Sequence, residues 1–63
     1  MTTEEVLKAL GRYTKESNES DQRTAAMLGI KRATLAAWLQ GAALPQKWTL
    51  ARLAGFLKRV GYL

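Results

Sequence analysis

The chain is predicted to be all-α, a compact bundle of four to five helices in a single domain covering residues 1–63. Three observations carry that expectation. Apolar residues recur three and four positions apart in successive windows, whereas no run alternates with period two and β-branched residues are scattered. Glycines, the proline and a polar Ser-Asn-Glu-Ser stretch fall between those windows, where helices would have to stop. A chain of 63 residues has no room for a second domain. It buries only about 60% of the surface it exposes on unfolding, so the core must be thin.

The first helix is expected from Thr3 to Glu16. Val6, Leu10 and Tyr13 share one face at i, i+4 and i+7, flanked by Leu7 and Ala9, and Glu4 precedes Lys8 as a favourable i, i+4 pair. Gly11 lies inside this helix at a cost of about 1 kcal/mol against alanine. The second helix runs from Asp21 to Leu28, with Ser20 as N-cap, Asp21 in the first turn and Ala25 and Leu28 inward; Gly29 ends it. The third runs from Arg32 to Gln40, with Leu35, Trp38 and Leu39 as its apolar face, and Gly41 ends it. Leu39 is expected to pack on Leu10 or Tyr13. Pro45 sets up a fourth helix over residues 46–59. Leu50, Leu53, Ala54 and Leu57 form its core stripe, Trp48, Arg52, Gly55 and Arg59 point outward, and Phe56 and Val60 lie on one flank.

Composition narrows the functions. Hydrophobic residues at 48% and charged ones at 24% describe a folded domain rather than a disordered tail. The absence of cysteine excludes disulfides, thiolate metal sites and redox pairs, and the absence of histidine removes the commonest zinc ligand and general base. No GxxxxGK[ST] loop, metal-ligand set or nucleophile–base pair can be assembled. The expectation is therefore a protein that is not an enzyme and needs no cofactor or metal. Apolar runs do not exceed five residues, as in 35–39, far short of a membrane span, and Met1-Thr2-Thr3-Glu4-Glu5 is the opposite of a signal peptide. A cytoplasmic protein without membrane attachment is expected.

Charge is distributed unevenly. The net charge is +5 and the isoelectric point about 10.1. All five acids (Glu4, Glu5, Glu16, Glu19, Asp21) fall in the first 21 residues, beside Lys8, Arg12 and Lys15. Residues 22–63 hold Arg23, Lys31, Arg32, Lys47, Arg52, Lys58 and Arg59 with no acid. Such a segment suits a polyanion, although a solvated basic surface kept for solubility has the same composition.

The second and third helices are separated only by Gly29, Ile30 and Lys31. Two short helices on a three-residue turn containing glycine are the sequence form of a helix-turn-helix, here about 21–40. Ala25 lets the helices cross closely, Gly29 turns the chain, Ile30 plugs the core and Leu35 anchors the second helix. A generic helical hairpin shares part of this pattern.

Residues 20–41 (Ser-Asp-Gln-Arg-Thr-Ala-Ala-Met-Leu-Gly-Ile-Lys-Arg-Ala-Thr-Leu-Ala-Ala-Trp-Leu-Gln-Gly) resemble the lambda-repressor-like, Cro/repressor-type helix-turn-helix DNA-binding domains of the xenobiotic-response-element family. The match runs ungapped through Pro45 to Leu53-Ala54 and Leu57, where the family has Leu-Ala-x-x-Leu, and covers about two-thirds of the chain. The resemblance implies sequence-specific binding of double-stranded DNA by a transcriptional regulator, a repressor of the small phage or bacterial kind working at the nucleoid. It places the second helix of the pair in the major groove and implies dimers on palindromic operators. Three positions depart from the family. Asp21 stands where a phosphate-contacting glutamine is common, with Gln22 one place later. Lys31 replaces a capping serine or threonine, and Leu39 replaces a glutamate tied to the first helix.

At about 100° per residue, the outward face of the third helix carries Ala33, Ala36, Ala37 and Gln40, with Arg32 at its edge. Arg32 suits a guanine edge, Gln40 an adenine edge, and alanine methyls can meet thymine methyls. Lys31 and Thr34 complete the candidate base-reading set, though alanine is also simply the best helix former on a solvated face. Gln22, Arg23 and Lys47 are the candidate phosphate contacts. Trp38 is read as core. Phe56, Val60, Tyr62 and Leu63 form an apolar cluster that one domain is not expected to cover, and a weak homodimer interface or a tail folded onto the first helix would each account for it. A protein-interaction module on the same helices, without DNA, is the alternative function. A cationic membrane-surface peptide fits poorly with several short apolar stripes.

Overall fold

The first helix starts at a reciprocal cap, because Thr2 and Glu5 stand three residues apart. The Glu5 N–H donates to Thr2 Oγ1 at 3.1 Å, and the Thr2 N–H donates to Glu5 Oε1 at 3.0 Å. That backbone donor holds the Glu5 carboxyl below its ordinary pKa. A computed structural model describes residues 2–63 and contains four helices: α1 (Thr3–Glu16), α2 (Asp21–Leu28), α3 (Arg32–Gln40) and α4 (Lys47–Arg59). The protein is all-α, and no strand occurs among the described residues. Helices α1 to α3 have the expected boundaries. Helix α4 begins one residue later than expected, since Gln46 adopts the extended conformation of an N-cap (φ −72°, ψ 165°).

Helix α1 packs against α3 and α4, and α2 packs against α3 and α4, so every helix contributes to one core. Val6, Leu10, Leu35, Leu53 and Leu57 are its most buried apolar side chains, with Tyr13, Leu28, Trp38 and Phe56 around them. The radius of gyration is 10.3 Å, close to the value of about 10.6 Å for a compact domain of this length.

Two expectations about packing are corrected. Leu39 is not part of the buried core that holds Leu10 and Tyr13; it is 37% exposed and lines a surface groove with Leu7 and Leu44. At about 100° per residue Leu39 points about 40° beyond Leu35, away from Trp38, at the margin of the buried face. The space beside Tyr13 is filled instead by Phe56 and Tyr62, each in edge-to-face contact, with centroids 5.2 and 5.5 Å away. One domain therefore does cover much of the C-terminal cluster. Phe56 belongs to the core at 9% exposure, and Tyr62 is half-buried, whereas Val60 and Leu63 remain exposed.

Backbone geometry folds the tail back. Gly61 takes a left-handed conformation (φ 88°), the Tyr62 N–H donates to the Leu57 carbonyl at 2.8 Å, and the Gly61 N–H donates to that of Lys58 at 3.2 Å. This Schellman arrangement turns the chain through a conformation that glycine reaches without steric penalty. It directs Tyr62 onto α1, where its hydroxyl donates to Glu16 Oε1 at 3.0 Å and the Arg12 guanidinium lies 5.6 Å from its ring centroid.

Candidate nucleic-acid interface

The α2–α3 pair is set by its connection. Ser20 Oγ accepts from the Arg23 N–H at 3.1 Å and starts α2. At the other end Gly29 is left-handed (φ 72°); its N–H donates to the Ala26 carbonyl at 3.2 Å, and the Ile30 N–H donates to that of Ala25 at 2.9 Å. Ala25 is buried and Ile30 packs against the core, so the turn is closed from inside.

Arg52 closes the same turn from outside. A Cβ on Gly29 would stand 3.0 Å from Arg52 Nη2, which places the guanidinium directly against the turn. Helix α2 has no basic residue in its last turn, so Arg52 of α4 supplies the cation that the negative end of the helix dipole favours. The sequence places Arg52 on the outward face of α4 but gives no sign of this contact, because it joins residues far apart in the chain.

Leu35 and Trp38 anchor α3 and leave its opposite side in solvent. Lys31, Arg32, Ala33 and Gln40 are exposed there, while Thr34, Ala36 and Ala37 are half-buried. Ala36 and Ala37 thus sit lower on the face than expected, with Arg32 and Gln40 exposed at either end. Gln22 is exposed on α2 and Lys47 is exposed as the first residue of α4. Arg23 is differently engaged: its Nε lies 2.7 Å from Glu19 Oε2, so its charge is already neutralised at the surface.

The helix N-termini divide into two kinds. Helices α1 and α2 are capped by Thr2 and Ser20 and carry acids in their first turns. Helices α3 and α4 have no side-chain cap and no acid there. Lys31 and Arg32 stand at the start of α3 and Lys47 at the start of α4. Free N–H groups beside unpaired bases are a favourable setting for an anion. Among the described residues the ion pairs are Lys8–Glu4, Arg12–Glu16 and Arg23–Glu19, which leaves Lys15, Lys31, Arg32, Lys47, Arg52, Lys58 and Arg59 without a carboxylate.

Thr24 was not anticipated as a core residue. It is fully buried, and its Oγ1 has no hydrogen-bond partner. Its position four residues before Leu28 was the available signal, since the two share a helical face. Among the described residues no group of His, Cys, Asp or Glu side chains could hold a metal ion, and no helix is long and apolar enough to cross a membrane. Comparison with family models, curated proteins and solved structures returned no match.

Proposed function

We propose that the protein is a sequence-specific double-stranded DNA-binding regulator of the lambda-repressor-like helix-turn-helix type, with α3 entering the major groove. The observation that carries this reading is the pairing of two uncapped helix N-termini with Lys31, Arg32 and Lys47, on a chain whose last 42 residues contain no acid. Phosphates would satisfy those N–H groups and bases together, in the way that backbone contacts position a protein on DNA. Arg32 and Gln40 would then reach base edges, and the half-buried alanines would let the α3 backbone approach the groove floor. Lys31 and Thr34 flank the same approach, and Gln22 adds a phosphate contact from α2. The regulator is a repressor acting in the cytoplasm at the nucleoid.

Selection of bound sequences from random duplex DNA, followed by affinity measurement across a salt series, tests this reading. A recovered consensus and a linear fall of log affinity with log salt are expected. Absence of duplex binding at low salt would overturn it and favour a protein-interaction module.

A further inference from the structure

The most exposed large apolar side chain among the described residues is Trp48, at 84%, in the first turn of α4. Neither the core nor the proposed base and phosphate contacts use it. With Lys47 it lines a shallow recess of about 270 Å³, so open space lies beside both side chains. A single exposed apolar side chain is ordinary on a protein surface, and its neighbours decide its meaning.

Those neighbours are cationic. Between Gly41 and Gly55 the only charged residues are Lys47 and Arg52, and neither has a carboxylate partner among the described residues. Trp48 and Arg52, four positions apart within α4, share one face of that helix. The Arg52 guanidinium rests against Gly29, two residues before Lys31 at the start of α3. The face of α4 that carries the indole therefore borders the start of α3. The acids are committed elsewhere. Glu4, Glu16 and Glu19 pair with bases of α1 and α2, Glu5 caps α1, and Asp21 stands at the end of α2 opposite Gly29.

We propose that Trp48 packs its ring on a deoxyribose of double-stranded DNA and donates its Nε1–H to a phosphate, beside the phosphate that Lys47 holds. The proposal rests on the DNA-binding reading and adds an uncharged contact to it. A DNA strand alternates anionic oxygens with apolar sugar faces, and an indole next to an ammonium offers the matching pair. A lipid surface or an acidic protein would meet the same charges, but continuity with Lys31 and Arg32 selects the duplex. Trp48 is a positioning residue: it seats the backbone against α4 and reads no base. Because the indole is neutral, its contact releases no counterion and leaves the salt dependence of binding unchanged.

The two tryptophans make the test direct. Trp38 is buried at 5% exposure, so acrylamide quenching of the full chain reports Trp48. Anisotropy of a labelled duplex at low salt reports binding independently. Saturating duplex is expected to remove the quenchable signal. Trp48→Ala, with unchanged helical circular dichroism, should weaken every duplex alike by about tenfold, with no change in salt slope. Trp48→Phe should recover part of that loss through its ring. An indole that stays quenchable in the bound complex overturns the proposal. So does a Trp48→Ala chain that binds at wild-type affinity or with a lowered slope, and in each case DNA binding itself survives. Protection by anionic vesicles or by raised protein concentration, with none from duplex, also overturns it and gives the surface to lipid or a second copy. A chain that binds no duplex at all fails the DNA-binding reading, and the proposal with it.

Discussion

The edge of one ring of the Tyr13–Phe56 pair meets the face of the other, with centroids 5.2 Å apart and planes at 85°. This contact joins α1 to α4 across the core. Tyr62 adds a second edge-to-face contact on Tyr13 at 88°. The three rings clasp the start and end of the chain together, and Phe56 is the member committed to the monomer.

Phe56→Ala should therefore destabilise the monomer. A buried phenylalanine reduced to alanine costs about 3–5 kcal/mol, a large part of the stability of a domain this small. Chemical denaturation should show a lowered midpoint that does not depend on protein concentration. A loss of stability seen only at concentrations where the wild type associates would place Phe56 at an interface instead.

Thr24→Val is expected to stabilise the protein. The threonine side chain is fully buried and its hydroxyl has no partner, while valine has nearly the same shape without the polar atom. Removing an unsatisfied buried hydroxyl should be worth about 1 kcal/mol. A raised midpoint in urea supports this; a fall would reveal that the hydroxyl is satisfied in solution.

Tyr62 links stability to alkaline pH. Its hydroxyl donates to Glu16, a bond that exists only while the proton is present, and this raises its pKa above the ordinary value near 10. The folded chain thus holds the proton more tightly than the unfolded one. Its contribution is complete below the unfolded value and disappears as pH rises through the higher folded value. Spectrophotometric titration should find a late-ionising tyrosine in the wild type whose signal is lost in Tyr62→Phe. The melting temperature of the wild type should fall more steeply above pH 10 than that of Tyr62→Phe, and parallel curves would remove the Glu16 bond from the account.

Arg32 and Lys47 should separate specificity from affinity on DNA. Arg32→Ala is expected to erase sequence preference at one position, worth about 1–3 kcal/mol of discrimination, with the fold intact because the side chain is exposed. Lys47→Ala should weaken all duplexes alike and lower the salt slope by about one. A selective loss in the second variant, or an unchanged consensus in the first, would exchange or remove these roles.

The helices were legible in the residues because the rules that set them act over short distances. Thr2 with Glu5, Ser20 with the Arg23 amide, and Gly29 with the carbonyls of Ala25 and Ala26 each act within one or two turns, and the 3.6-residue period marks Val6, Leu10, Leu35, Leu53 and Leu57 as core. The exposed ends of α3 were visible in the same way, since anchoring Leu35 and Trp38 leaves Arg32 and Gln40 outside.

The competition for space beside Tyr13 was decided only by the tertiary structure. Leu39 and Phe56 both lie at the margin of an apolar stripe, and helical periodicity alone gives neither the place. The site went to Phe56 and Tyr62 because α4 packs along α1 and Gly61 turns the tail back, bringing Tyr62 to Glu16 across 46 residues of sequence. Leu39 was consequently left on the groove with Leu44, and Arg52 came to rest on Gly29. Local hydrogen bonds and side-chain period choose where a helix starts and which stripe is apolar. Which marginal side chain is buried depends on the volume left after the distant helices have packed, and that volume is a property of the whole chain.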